Sequence, residues 1–492
     1  MNFRVKLESF LRDKYNLMFL GVILIAFVIR LYYFIYTYNQ PLWWDEAEYM
    51  SMAKNLLYGI PYDFNPQRPI LFPFLIGLFI WIGEGLVKFV IGFLPSFGAV
   101  ILTYLFGKEL YNKKVGLIAS FIMAIFWVLL FNGTRIHADG LALFFSLLGI
   151  YLFWKGYVLN KVPKLLNMGF LFLVLAFMVK VNAVLASLIV LIFLVITEKL
   201  DFLKKKILWK SLIWFVAPLI PFSVYNYLKF GTLVPFIAGY VDPKSLGAKF
   251  ASSFNFGILN FTHTFTDDLF FILFLIGLLF VLFNLVMGFD LMYKKNDLMV
   301  KADLLCILSI FVVMGWFIFI ERWNAEPRWL ILMAPFMFFI IGKGITEVIK
   351  FIKINKKVIF LIAVIVLFIG AYPQLVYNHQ LMEIKKSSYE PVKLAGLWIK
   401  ENSNKGDIVL SKSVPQNTYY SERETYGIVS NEEMKELKPR YVVVSAFELH
   451  LPELLQRIDS ISDHLQPVYA YFNDPEGKQP VLVVYEFKDY DF

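Results

Sequence analysis

Long apolar runs, separated by short charged loops, leave this chain few ways to fold. Eleven of them fall near 17–37, 86–106, 115–131, 139–154, 165–179, 181–197, 208–228, 267–289, 302–320, 328–345 and 357–373. A helix needs about 17–25 apolar residues, rising about 1.5 Å each, to cross a hydrocarbon layer roughly 30 Å thick, so these runs read as membrane spans. Of the 492 residues, 59% are hydrophobic and 17% charged, and mean hydropathy is +0.64. No water-soluble fold needs that much apolar surface, so the fold class is an α-helical polytopic membrane domain. In a soluble protein the net charge of +9 would suggest nucleic acid as a partner. Here the position of the cations reads instead as a topology signal, and membrane lipids take that place.

One further apolar piece, Pro69–Gly83, complicates the count, and charge arbitrates. With eleven spans, the N-terminal tail and the loops near 107–114, 155–164, 198–210, 290–303 and 343–357 share one side and carry 23 Lys and Arg. The opposite loops carry nine. Counting Pro69–Gly83 as a span would put most basic loops opposite the basic N-terminus. The positive-inside rule therefore predicts eleven spans, an N-terminus in the cytoplasm and an extracytoplasmic C-terminus. Pro69–Gly83 becomes an interfacial helix in a first outer loop running from about 38 to 84. The basic start (Arg4, Lys6, Arg12, Lys14) precedes an apolar run without a small-residue cleavage site, the pattern of a retained signal anchor. The single cysteine, Cys306, allows no intramolecular disulfide.

Composition changes near Tyr377–Ser388, which divides the chain into a membrane domain (1–378) and an extracytoplasmic α/β domain (385–492). Alternating segments at Asp407–Ser411, Tyr441–Phe447, Pro467–Phe472 and Val481–Phe487 predict strands, and Tyr389–Glu401 and Leu451–His464 predict helices. No Gly-rich phosphate loop and no Cys/His metal pattern accompanies them.

The first outer loop opens on Pro41-Leu42-Trp43-Trp44-Asp45-Glu46-Ala47-Glu48-Tyr49. Tyr49, Met52, Ala53, Leu56 and Leu57 recur at helical spacing up to Gly59, and the two tryptophans suit a membrane–water boundary, so a second interfacial helix is predicted here. Two readings of its carboxylates stand side by side. Asp45 and Glu48 match an N-cap with its capping-box partner; carboxylates held at that boundary can also take a proton from a hydroxyl or hold a cation.

Ionisable groups at the ends of spans are costly and mark candidate sites. On the predicted outer side these are Arg68, Arg135, His137, Asp139, Lys180, Arg322 and Arg328, with Glu321 and Glu326 nearby. Asp139 is open to two roles, N-cap of its span or pocket carboxylate. Arg322 and Arg328 could simply pair with Glu321 and Glu326. Arg30, inside the first span, reads as a buried structural partner. Guanidinium groups grip phosphate oxygens, and carboxylates suit a hydroxyl nucleophile, so a site needing both is one where a lipid phosphate leaves as an alcohol attacks.

Trp-Asp-Glu-Ala-Glu-Tyr after the first span, Arg-Pro-Ile-Leu-Phe-Pro-Phe-Leu, Arg-Ile-His-Ala-Asp-Gly-Leu-Ala-Leu-Phe-Phe and Glu-Pro-Arg-Trp-Leu-Ile-Leu-Met-Ala-Pro-Phe together resemble the polytopic C-type (GT-C) glycosyltransferases, specifically the protein O-mannosyltransferase and aminoarabinose-transferase group in its prokaryotic form. The resemblance covers roughly residues 10–345 and extends to the α/β domain. It implies a polyprenyl (dolichyl-type) phosphate sugar as donor, used on the outer face. It implies catalytic roles for Asp45, as base, with Glu46 beside it and Asp139 as a second pocket carboxylate, a pocket cation at Arg68, and donor-phosphate contacts for Arg328 and Trp329; Arg135, Lys180 and Arg322, by their place on the outer side, are expected to join the donor site. The acceptor, whether lipid, glycan or protein, stays open; the eukaryotic mannosyltransferases' large luminal β-trefoil insert is lacking. The pattern names no definite cofactor, and a divalent cation at Asp45, Glu46 and His137 is compatible with it. The competing readings are a transporter or flippase of a lipid-linked sugar, which predicts polar residues in mid-span and pseudo-symmetric halves, and a membrane-anchored binding module.

Overall fold

The computed structural model describes residues 12–236, 257, 259, 261–321, 326–352, 355–446, 451–473 and 478–492. The chain divides into two compact units, Met1–Tyr36 with Pro66–Phe72 and Lys88–Leu381, and Thr37–Asn65 with Pro73–Val87 and Met382–Phe492.

The first unit is helical. Among the described residues nine helices are long and apolar enough to cross a membrane, and ten if the bent pair Lys113–Ile125 and Trp127–Gly133 is one span. The apolar run at 165–179 forms the 17-residue helix Pro163–Val179, at the lower limit of that length. The Pro327–Phe351 segment is the most enclosed, whereas Lys206–Phe230 and Asp268–Lys294 are mostly uncovered and present side chains such as Leu228 and Val286 that suit lipid. Helices meet where side chains are missing. A Cβ on Gly107 would lie 2.8 Å from Gly116 Cα, and one on Gly344 would lie 2.6 Å from Gly277 Cα. Such small-residue contacts let backbones approach where no hydrophobic effect drives helices together.

The 53° bend between Lys113–Ile125 and Trp127–Gly133 frees backbone groups that cannot be left bare in a membrane. Phe126 leaves the helical region (φ −63°, ψ 113°). Arg30, buried, donates to Ala124 O (2.8 Å), Met123 O (3.3 Å) and Ser96 Oγ (2.9 Å). On the other side of the break Gln374 Oε1 accepts the Trp127 N–H at 3.2 Å. Arg30→Met should therefore lower the stability of the detergent-solubilised protein by about 1–3 kcal/mol, the cost of leaving buried acceptors unmade. A thermal melt coinciding with the wild type would show that the freed carbonyls find other donors.

A second buried polar group joins three helices. Asp303 pairs with Lys343, accepts from Asn284, and accepts the Tyr111 hydroxyl at 2.7 Å. Lys343, counted from sequence as a loop cation, is thus an interior ion-pair partner.

The second unit contains a five-stranded sheet of order β2-β1-β3-β5-β4, with β1 Ile408–Ser411, β2 Glu424–Tyr426, β3 Tyr441–Ser445, β4 Leu465–Phe472 and β5 Pro480–Phe487. β2, β1 and β3 are parallel; β5 runs antiparallel to β3 and β4. Strand alternation sends Val409, Tyr441, Val443, Leu482 and Val484 to one face, against Val392, Ala395 and Ile399 of the helix Glu390–Asn402. Leu410, Val442 and Val444 go to the other, against Met434, Ile458 and Ile461. Pro467 lies in the edge strand, where its missing N–H is tolerated, and the register shifts beside it. The helices Val414–Ser421 and Asn431–Leu437 and strand β2 were not predicted; each is too short to show a period.

Candidate active site

In the second unit the acidic stretch forms the helix Trp44–Tyr58, which ends at Gly59 in a left-handed conformation (φ +66°) with its N–H on Asn55 O. This is the C-terminal stop that glycine permits. The N-terminus differs from expectation. Trp43, not Asp45, is the N-cap residue, and the Glu46 carboxylate accepts the Trp43 N–H at 2.9 Å. Glu48 accepts from Asn65 Nδ2 at 2.9 Å. The capping pair Asp45–Glu48 is therefore displaced, because the helix starts two residues earlier and the reach-back position falls on Glu46. Glu46 and Glu48 are buried, whereas Asp45 is partly exposed.

In the first unit four of the expected residues come together. Asp139, Lys180, Arg328 and Trp329 line one pocket with about 360 Å³ of empty space, part of it open to solvent. Asp139 sits in the first turn of Ala138–Phe153, whose N-cap residue is His137, so Asp139 is not the cap. Its carboxylate instead pairs with Lys180 and lies 4.0 Å from Arg328 Nη1. Lys180 leaves the end of Pro163–Val179 in extended backbone (φ −149°, ψ 126°) before the turn Val181–Ala183. That break aims its side chain off the helix end. Arg328 follows Pro327 in the first turn of its helix, the position where proline's missing N–H costs nothing. Its Nε also meets Glu326 Oε2 at 2.6 Å, so the expected pairing with Glu326 is real but shared. Trp329 stacks on Phe317, ring centroids 6.1 Å apart.

The pocket wall below Asp139 is Ala142, Leu143 and Ser146, one face of a helix at i+3, i+4 and i+7. Ser146 was not singled out from sequence; its spacing from Asp139 was the available signal. Arg68, Arg135 and His137 are not among the lining residues. Arg68 stands partly exposed in the bend before Leu71–Ile80. Arg135 is buried with its guanidinium over the Phe131 ring at 4.9 Å. His137 is buried with Nδ1 2.8 Å from Asn132 Oδ1, while Asn132 Nδ2 donates to Val128 O. That orientation of the amide requires the proton on Nδ1. Arg322 lies outside the described residues. Among the described residues no group of three or more His, Cys, Asp or Glu converges to hold a metal.

One lysine and one arginine face a single carboxylate beside a largely apolar wall, so the pocket carries one more cation than anion among these three groups. Residues 67–225 match the family model of dolichyl-phosphate-mannose-protein mannosyltransferases. The architecture matches ArnT from Cupriavidus metallidurans, solved bound to undecaprenyl phosphate, over 95% of this chain and 97% of that one, with a TM-score of 0.61 at 10% identity. The fold is the one seen in ArnT. The Archaeoglobus fulgidus oligosaccharyltransferase, solved in complex with zinc and sulfate, shares this architecture over 94% of this chain and 73% of that one (TM-score 0.61, 14% identity). The same organism's AglB, solved with an inhibitory peptide and a dolichol-phosphate, aligns over 96% and 74% (TM-score 0.58, 12% identity). No curated protein sequence matches the chain. This fold and the apolar helices make this an integral membrane protein, similar in part to the protein mannosyltransferase family and in architecture to ArnT.

Proposed function

We propose that the protein is a membrane glycosyltransferase that moves a sugar from a polyprenyl-phosphate donor to a hydroxyl acceptor. The observation that carries this reading is the convergence of Lys180 and Arg328 on Asp139 in one pocket. A family described by a dolichyl-phosphate donor, and similar structures solved with dolichol-phosphate and undecaprenyl phosphate, support it. Lys180 and Arg328 hold the phosphate and stabilise it as it leaves, the electrostatic contribution expected to be largest. Asp45 takes the acceptor's proton as its oxygen attacks the anomeric carbon, and a single displacement inverts that centre. The C–O bond to phosphate breaks with its electron pair on the phosphate, which departs as an anion and needs no acid. One carboxylate base then suffices where glycosidases use two. The reaction is assigned to the outer face, with the N-terminus cytoplasmic, on the Lys/Arg imbalance.

Flipping of a lipid-linked sugar would call for polar residues in mid-span that meet the cargo. Two interior polar groups, Arg30 and the Asp303–Lys343 pair, are instead bonded to protein partners, which favours transfer over translocation. The test is incubation of membranes holding the protein with radiolabelled polyprenyl-phosphate sugars of several kinds. Label should leave the lipid for a new product with one donor class, and only when Arg328 is intact. Absence of transfer from every donor, with the lipid-linked label carried across sealed vesicles instead, would establish the transporter reading.

A further inference from the structure

We propose that Tyr420, in the C-terminal α/β region, is a positioning residue for Asp45. The inference rests on the reading of Asp45 as the base. Asp45 lies in the first turn of Trp44–Tyr58, so its direction follows from the backbone of Leu42 and Trp43 just before it. Pro41 has no N–H, and the next two amides are each taken. Glu46 accepts that of Trp43. The Leu42 N–H, on a residue with 0% exposure, donates to Tyr420 Oη at 2.8 Å, 378 residues away.

Tyr420 is itself held firmly. It is 4% exposed on the helix Val414–Ser421, and a Cβ on Gly396 would come 2.7 Å from Tyr420 Cβ, so the helix Glu390–Asn402 approaches it closely. The same segment grips the acidic helix further along: Lys54 Nζ donates to Tyr419 O (3.1 Å) and to Glu422 (2.8 Å), and Ser51 Oγ donates to Pro415 O (3.3 Å). Burial, with Glu84 and Glu46 adding to it and the Leu42 amide opposing, raises the Tyr420 pKa, so the hydroxyl stays neutral. The C-terminal region thereby acts as a jig for the turn that aims the base. A base must sit within hydrogen-bond reach of the proton it removes, and reach is what this anchor controls.

The test uses the full-length protein in detergent or membranes. Tyr420→Phe keeps the ring and removes one oxygen. It should lower kcat on the order of ten- to a hundredfold, the range produced by misplacing a reacting group by about an ångström. Donor KM should stay within about twofold, as for a group acting on the chemical step rather than on binding. Amide exchange in the 41–50 peptide should quicken, with a modest fall in melting temperature from the unmet Leu42 amide, while the strands of the sheet hold. Ser421→Ala, on the same helix but bonded to Asn417 O and the Arg423 N–H, should keep wild-type kcat. In the wild-type protein, without any substitution, the Leu42 amide should exchange as slowly as the sheet; exchange at loop rates would overturn the anchor. Wild-type kcat in Tyr420→Phe, with Asp45→Asn inactive, would overturn the positioning role alone. Wild-type transfer by Asp45→Asn would overturn the base assignment and the positioning role with it.

Discussion

Asp45→Asn should fold and melt like the wild type while turnover falls on the order of 10²–10⁴-fold, the range of general-base assistance. The structural half of this expectation follows from where the helix begins. With Trp43 as the N-cap residue and Glu46 holding its amide, Asp45 has no capping role for asparagine to inherit. Asparagine keeps the size and hydrogen-bonding oxygen and loses only the basic carboxylate. Glu46→Ala gives the contrasting phenotype: it strips a buried turn of its acceptor and should cost about 0.5–2 kcal/mol of stability, as cap removal does. Thermal melts of the two variants, beside turnover per folded molecule with saturating donor, separate chemistry from scaffolding. Unimpaired transfer by Asp45→Asn would sink the base assignment.

Arg328→Ala should weaken donor use by roughly 2–5 kcal/mol in kcat/KM, the cost of truncating one partner of a buried, hydrogen-bonded charge pair. Arg328→Lys should fall between it and the wild type, because lysine keeps the charge without the planar fork that grips two phosphate oxygens. The side chain is 16% exposed and shares itself between Asp139 and Glu326. Glu326 is half-exposed, so that pair is worth little in itself, and its loss cannot mimic the expected effect. The decisive comparison is Glu326→Gln, which removes the surface partner and should leave donor dependence near wild type. Equal donor titrations for Arg328→Ala and wild type would return Arg328 to a structural pairing. Lys180→Ala should be worse for folding than Arg328→Ala, since it leaves the buried Asp139 carboxylate without its nearer cation.

Much of the fold is legible along the chain because its signals are short-range. Each apolar run became a helix, with Pro163–Val179 and the bent pair near 115–131 as the marginal cases. The four expected strands formed, because short runs rich in Val, Tyr and Phe bounded by turn residues suffice to define a strand. Gly59 announced the end of the acidic helix. The short β2 and the helix Val414–Ser421 escaped notice, although the latter supplies Tyr420. Eight residues reading Val-Pro-Gln-Asn-Thr-Tyr-Tyr-Ser have no apolar stripe, since the helix is enclosed on all sides by tertiary contacts.

The sequence by itself determined that this is a membrane protein of many spans followed by a small α/β region, and which residue types could serve phosphate and hydroxyl chemistry. Hydropathy and periodicity act over about twenty residues or fewer, so they can be read without knowing what packs where. The tertiary structure alone decided which candidates meet. Asp139, Lys180 and Arg328 converge across intervals of 41 and 148 residues, while Arg135 and His137, neighbours of Asp139 in sequence, turn into the protein interior. It decided that Glu46 rather than Asp45 ties down the helix start, that Arg30 answers the carbonyls of a broken helix, and that Tyr420 reaches Leu42. The last two satisfy a buried polar group with a distant one, whereas the first is local, three residues apart. Such distant partners are chosen by packing, because a desolvated donor or acceptor must bond to whatever the fold brings within reach.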